Sequence, residues 1–325
     1  MPADHKRDAS LAVVTSCGDR TGQATPNEIA EGESVAPMVT SVARRATPSP
    51  WPRIAGQARR GLVLGVAVFL LVLPAAFVFL WMLSLSLKPD VENTAYPPIF
   101  IPRSPTLDSF RQILNGSPIG RYTINSAVVA GGSTLIALIL GVPAAYGISK
   151  AKSRGMLAFV LIARMTPALS YLIPWFIMFR AVGLNNTLTA LVITHLVIGL
   201  PVVIWVMVGF FDGLPRDLDE AAAVDGASPW QAFWHVALPL GRPGIVVGAL
   251  LAFIFSWNNF IFAVVLAGRE TRTLPVLVFN TLTFERLAFG PLAAAAILVT
   301  LPVLIVTVLV QRQIVVGMTA GAVKS

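Results

Sequence analysis

Six apolar stretches organise the chain, at residues 61–87, 123–149, 156–182, 188–211, 243–267 and 291–310. Each reaches the roughly 20 residues a helix needs to cross ~30 Å of hydrocarbon. None shows the apolar–polar alternation of a barrel strand, so helices are left as the structure that pairs every backbone group inside lipid. The pattern predicts an all-α membrane protein with six transmembrane helices. Pro143, Pro167 and Pro174 lie inside the second and third runs and are expected to kink them.

The intervening segments differ in character. Residues 1–57 are rich in Ala, Ser, Thr, Pro and mixed charges, with no helical period. Such a segment buries too little surface to fold alone and is read as a disordered cytoplasmic tail. It has no apolar core before a cleavage site, so it is not a signal peptide, and Met38 offers a second start. The domain boundary is drawn at 57/58, with 58–325 forming the six-helix domain. Between the first two runs, Pro97, Pro98, Pro102 and Pro105 predict an extended stretch. Thr106 is then placed to cap a short helix carrying Leu107, Phe110, Ile113 and Leu114 on one face.

Composition agrees with the pattern. The chain is 55% hydrophobic and 12% charged, against about 25% charged in soluble domains. Its formal charge of +8 has no interleaved aromatic stripe to suggest nucleic acid, and is read through the excess of Lys and Arg in cytoplasmic loops. Arg53, Arg59, Arg60, Lys150, Lys152, Arg154, Arg216, Arg242, Arg312 and Lys324 fall on one side of a six-span chain. Lys88, Arg103, Arg111, Arg121, Arg269, Arg272 and Arg286 fall on the other, the first four diluted by Asp90, Glu92 and Asp108. The bias favours both termini inside. Cys17 has no partner for a disulfide, and His5, His195 and His235 are too scattered for a zinc site.

The stretch from 212 to 242, between the fourth and fifth runs, is long for a helical membrane protein. Pro215 suits a first helical turn, and Asp217, Asp219 and Glu220 sit where the helix dipole favours acid. Gly226 fits a left-handed C-terminal position. Ser228, Pro229 and Gln231 then spell an N-cap, a first-turn proline and a capping box. Two short helices joined by a glycine turn result, with Trp230, Phe233, Trp234 and Val236 on the second. A rigid knob of this kind suits docking.

At these residues a family appears. Glu220, Ala221 and Ala222, then Gly226, with Leu238-Pro239 and Pro243-Gly244 downstream, resemble the coupling loop of permease subunits of binding-protein-dependent ABC importers. Residues 84–89 (S-L-S-L-K-P), Trp257-Asn258-Asn259-Phe260, Arg272-Thr273-Leu274-Pro275 and residues 311–324 are similar to the maltose-type carbohydrate branch. The resemblance covers about residues 61–325. It departs at Asn259, where most members carry an acid.

The resemblance implies a working unit of two permeases, two ATPase subunits and an extracytoplasmic solute-binding protein in the bacterial inner membrane, importing a sugar or polyol. Glu220 would pair with a basic group of the ATPase subunit, Ala221 and Ala222 would allow a close fit, Gly226 would shape the turn, and Asp225 and Ala227 would belong to the same ATPase-coupling set. ATP and Mg would belong to the ATPase subunits. This chain has no G-x(4)-G-K-[ST] phosphate loop, so no cofactor is assigned to it.

Polar groups inside the spans are candidates for the translocation path: Arg164, Trp257, Asn258 and Asn259, with His195 read rather as an interhelical hydrogen-bonding group. The main rival is an ion-coupled secondary transporter, which calls for intramembrane acids and a repeat. No Asp or Glu lies within the six apolar cores. A membrane-embedded enzyme would need a motif such as H-E-x-x-H or G-x-S-x-G, and neither is present. A pure scaffold would not need the glycine-turned loop.

Overall fold

The structure is a computed structural model that describes residues 51–215, 217–281 and 288–322. Residues 1–50 of the tail expected at 1–57, with His5 and Cys17, and Arg216, Arg286 and the end of the C-terminal motif lie outside those residues. The chain divides into the units Met1–Gly61 and Leu62–Ser325, and the packing below lies within the second.

The apolar runs fold as helices. Helix α1 (Trp51–Ser86) starts inside the segment read as the tail, so the boundary expected at 57/58 falls within a helix. From Gly61 onward α1 is apolar all round, and none of its most apolar window is buried by the chain's other helices. A helix with no polar face needs lipid or protein on every side. Two short helices follow, α2 (Asp90–Asn93) and α3 (Asp108–Gly116). Thr106 accepts a hydrogen bond from the Asp108 amide at 2.9 Å, so the helix begins just after the expected cap. Ile113 is buried, with Phe110 packed beside it, whereas Leu107 and Leu114 are exposed.

Helices α4 (Ile119–Lys150), α7 (Leu188–Asp212) and α14 (Phe289–Ala322) correspond to the second, fourth and sixth runs. With α1 they are the four described helices long and apolar enough to cross a membrane unbroken. Pro143 stays inside the continuous α4. The third run differs from the single helix expected. It is α5 (Arg154–Met165), a 3-10 turn over Ala168–Tyr171, and α6 (Leu172–Ala181), bent by 80°. Pro167 is the cause. The residue before a proline is pushed toward extended backbone, and Thr166 has φ −63° and ψ 123°. Pro174 then falls in the first turn of α6, where a missing N–H costs nothing.

The loop after α7 forms α8 (Asp217–Val224), α9 (Pro229–Ala232), a π-helical turn over Phe233–Ala237, and α10 (Leu238–Leu240). The fifth run is also broken: α11 (Arg242–Trp257) and α12 (Ile261–Leu266) replace one helix, and α13 (Pro275–Thr281) follows. Asn258 donates from Nδ2 to the Ile254 carbonyl at 3.0 Å, and the Asn259 side chain accepts from the Phe262 amide at 3.4 Å. Both side chains compete with helical backbone pairing, which is how Asn ends a helix.

Helices α4, α7 and α11 form the central packing unit. Ala137, Val203, Met207, Phe211, Phe233 and Ala252 are among its buried apolar side chains. A polar thread crosses all three helices. Ser133 and Ser256 hydroxyls are 3.0 Å apart, and His195 Nδ1 is 2.7 Å from Ser256 Oγ. His195 is thus an interhelical hydrogen-bonding group, as its sequence context predicts. The R-T-L-P segment is anchored on α4: the Leu274 amide donates to Ser126 Oγ at 2.7 Å, and Asn125 donates to the Glu270 and Arg272 carbonyls.

The S-L-S-L-K-P segment also has a structural role. Lys88 is 2% exposed. Its ammonium donates to the Ile99 carbonyl and lies 4.7 Å from the centre of the Trp81 ring. Burial lowers its pKa from the ordinary lysine value, and the charge of Glu92 opposes that shift. Glu92 in turn accepts from the Ser104 hydroxyl and from the Arg103 and Ser104 amides, pinning the proline-rich strap.

Candidate functional site: the loop between α7 and α11

The loop is built by local capping chemistry. Gly226 has φ +81°. Its amide donates to the Ala223 carbonyl at 3.1 Å and the Ala227 amide to Ala222 at 2.9 Å, the two bonds of a Schellman close. Ser228 Oγ accepts from the Gln231 amide at 3.3 Å while Gln231 Oε1 accepts from the Ser228 amide at 2.8 Å. The predicted capping box is therefore complete. One helix is closed and the next opened within a few residues, which fixes their relative direction.

The second half of the loop is anchored from beneath. Phe233 is 1% exposed. Its ring lies 5.2 Å from that of Tyr146 on α4 and 5.3 Å from Trp230. At the base, Gly244 passes so close to α7 that a Cβ there would sit 2.5 Å from Phe210 Cγ. The P-G pair of the motif thus marks a backbone approach between α11 and α7.

Helix α8 has an inner and an outer face. Glu220, Ala221, Ala223, Val224, Asp225 and Gly226 are exposed, and Ala227 is half-buried. Ala222 is 9% exposed and faces its own subunit. The two alanines expected to share one outward contact therefore divide, Ala221 outward and Ala222 inward. Sequence reasoning missed Asp219, which it took only as a first-turn acid. Its carboxylate bonds to Lys150 Nζ at 2.7 Å and accepts from the Tyr146 hydroxyl at 3.3 Å. Nothing in local sequence pairs those positions. Tyr146, Lys150, Lys152, Arg154, Asp212, Asp219 and Glu220 border a cavity of about 540 Å³.

The candidates within the spans do not form one cluster. Trp257 is 3% exposed and donates from Nε1 to the Val299 carbonyl at 3.0 Å, so its polar edge is committed to α14. Asn258 is exposed and lines a separate cavity of about 250 Å³ with Phe260, Pro275, Val278, Phe279 and Val299. The Phe260 and Phe279 rings stack there at 6.3 Å. Asn259 is used locally, bonding the first turn of α12. Arg164 lies in the last turn of α5 with its guanidinium 4.8 Å from the centre of the Phe255 ring, a cation–π contact. Among the described residues no three His, Cys, Asp or Glu side chains gather as a metal site would require.

Helices of membrane-crossing length, packed round an interhelical polar thread and joined by a glycine-turned loop, define a multi-pass helical membrane protein. Residues 137–318 match the family described as binding-protein-dependent transport system inner membrane component, and the chain belongs to that family. Among its relatives, the trehalose transport system permease protein SugB of Mycobacterium tuberculosis is 38% identical, the alignment covering 82% of this chain and 99% of SugB. The sulfoquinovosyl glycerol transport system permease protein SmoH of Agrobacterium fabrum is 35% identical over 80% of this chain and 92% of its own. The fold is shared with a subunit of a bacterial ABC transporter involved in the import of the acidic polysaccharide alginate. That match has a TM-score of 0.60 and 23% identity, and covers 82% of this chain and 99% of the other.

Proposed function

We propose that this chain is one permease half of an ATP-driven ABC importer in a bacterial inner membrane, with both termini in the cytoplasm, translocating a sugar or polyol. A second permease, two ATPase subunits and an extracytoplasmic solute-binding protein complete the assembly. ATP and Mg act on the ATPase subunits, and this chain contributes the path and the docking loop. The observation that carries the reading is the loop itself. A Schellman close at Gly226 and a capping box at Ser228 and Gln231 hold Glu220, Ala221 and Val224 outward on a fixed knob. Glu220 then meets a basic group of the ATPase subunit. Closure of the ATPase pair displaces the knob, and the helices behind it switch as a rigid body.

The substrate class is supported by relatives named for trehalose and sulfoquinovosyl glycerol, both sugars or glycosides. Asn258 beside the stacked Phe260 and Phe279 rings is the best-placed polar group for the path, since aromatic faces and an amide suit sugar faces and hydroxyls. Family membership speaks against the ion-coupled transporter.

The test is co-purification. A tagged chain expressed from its native locus should bring down an ATPase and a second permease, and Glu220→Lys should lose the ATPase alone. A chain that purifies by itself, or a Glu220→Lys variant that keeps both ATPase and full uptake, would overturn the assignment.

A further inference from the structure

Docking alone does not move a pore; the docked helix must also be tied to the helices it drives. Asp219 occupies the inner face of α8 with Ala222, while Glu220 and Ala221 face out. Both of its carboxylate oxygens are engaged by α4: Oδ2 by Lys150 Nζ at 2.7 Å and Oδ1 by the Tyr146 hydroxyl at 3.3 Å. Tyr146 and Lys150 are i and i+4 on one face of α4, and the Lys150 ammonium lies 5.7 Å from the centre of the Tyr146 ring.

Tyr146 is also the point where the pieces meet. Its ring packs edge-on against Phe211 at the end of α7, at 5.5 Å, and at a tilt of 45° against Phe233 of the π-helical turn, at 5.2 Å. Beside it Ser149 donates to Asp212, tying the ends of α4 and α7. The second half of the loop is held by the buried Phe233 and Ala237. Helix α8 is different: among the described residues, no other side chain on it hydrogen-bonds beyond the loop.

We propose that Tyr146, Asp219 and Lys150 form a clasp that makes α8 and α4 one rigid body, so that displacement of the docking helix moves α4 instead of bending the loop. They are positioning residues. The proposal rests on the docking function assigned above. Without the clasp the loop can still dock while its motion is absorbed at the Gly226 turn and at the Leu214–Pro215 connection, so ATP hydrolysis continues with less effect on the pore.

The test uses the assembled transporter in lipid, with Cys17 replaced and spin labels at Asp217→Cys on α8 and Leu135→Cys on α4, both exposed positions. The interlabel distance is read by pulsed EPR in the nucleotide-free and the ATP–vanadate-trapped states, and ATPase co-purification is scored in parallel. In the otherwise unmodified chain the distance should be the same in both states. In Asp219→Asn and Tyr146→Phe it should shift or broaden on trapping, with the ATPase subunit still bound. The exchange Asp219→Lys with Lys150→Asp should restore the single distance that Asp219→Lys alone loses. Variants indistinguishable from the parent, or a parent whose distance itself changes, would overturn the clasp and leave the docking assignment standing. Loss of the ATPase subunit from Asp219→Asn or Tyr146→Phe would also overturn it, by placing these residues in the docking contact. A parent that binds no ATPase subunit would overturn both.

Discussion

Gly226 allows the cost of one backbone angle to be separated from every contact. Its φ is +81°, and a Cβ built on it meets no atom within 4 Å. Alanine there would therefore clash with nothing, and what remains is the left-handed conformation itself, about 1–2 kcal/mol for an L-residue. That is a shift of about 5- to 30-fold in the equilibrium constant between the intact and the opened turn. The turn sets the direction of α8 against α9, so under the proposed function the dissociation constant of the ATPase subunit rises as the intact fraction falls, by at most that factor. Asparagine visits this conformation more readily, so Gly226→Asn should lose much less than Gly226→Ala. The assay is a titration of purified ATPase subunit against the permease in lipid nanodiscs, with the thermal midpoint measured alongside. The backbone argument is refuted if Ala and Asn weaken binding equally, or if Ala has no effect. A fall in the midpoint with binding unchanged would place the damage in the helical core instead.

Three further outcomes follow from the packing. Gly244→Ala would place a Cβ 2.5 Å and 2.7 Å from Phe210 Cγ and Cδ2, atoms near the root of that side chain. A loss of about 1–3 kcal/mol is expected, as for overpacking generally, read as a lower thermal midpoint in detergent. Trp257→Phe removes the side-chain hydrogen bond to the Val299 carbonyl, which should cost about 1 kcal/mol and lower the same midpoint while leaving the KM for solute uptake unchanged. Glu92 has its pKa lowered by the Ser104 hydroxyl first, with burial opposing and the Arg103 and Ser104 amides and the Arg103 charge assisting. Its folded value lies below its unfolded one, so the stabilisation is present above the ordinary carboxylate value and fades as pH falls through the lowered one. A spin label at Ile101→Cys should become more mobile over that acidic window, and in Glu92→Gln it should be mobile at neutral pH as well.

What the chain reveals in sequence is what depends on neighbours along it. The apolar runs locate the helices because burial in lipid is a property of composition over about 20 residues. Ser228, Pro229, Gln231 and Gly226 announce their turn because caps and glycine closures are local chemistry. The breaks are harder to read. Thr166 before Pro167 carries a local signal, yet a proline is also compatible with a mere kink, as the uninterrupted helix around Pro143 demonstrates. At Asn258 and Asn259 the outcome turns on whether an amide side chain pairs with its own backbone or with another helix, and both options have the same sequence. The clasp was illegible because Asp219 and Lys150 meet only after α4, α7 and the loop have packed.

The alanines of the loop show how the missing dimension changes a functional reading. Taken along the chain, Ala221 and Ala222 are two small residues available to one partner. On the folded helix they point about 100° apart, Ala222 against its own subunit and Ala221 outward. Helices approach to 8–10 Å according to the size of the side chains between them, so a helix pressed from both sides needs small residues on both. On the proposed function α8 is such a helix, with the π-helical turn of its own loop behind it and the ATPase subunit in front. Bulk at position 222 should push α8 off that turn and strain the Asp219 clasp, whereas bulk at 221 should block docking and leave the clasp intact. The two substitutions would both abolish transport, but only the one at 221 should release the ATPase subunit while preserving the distance between α8 and α4.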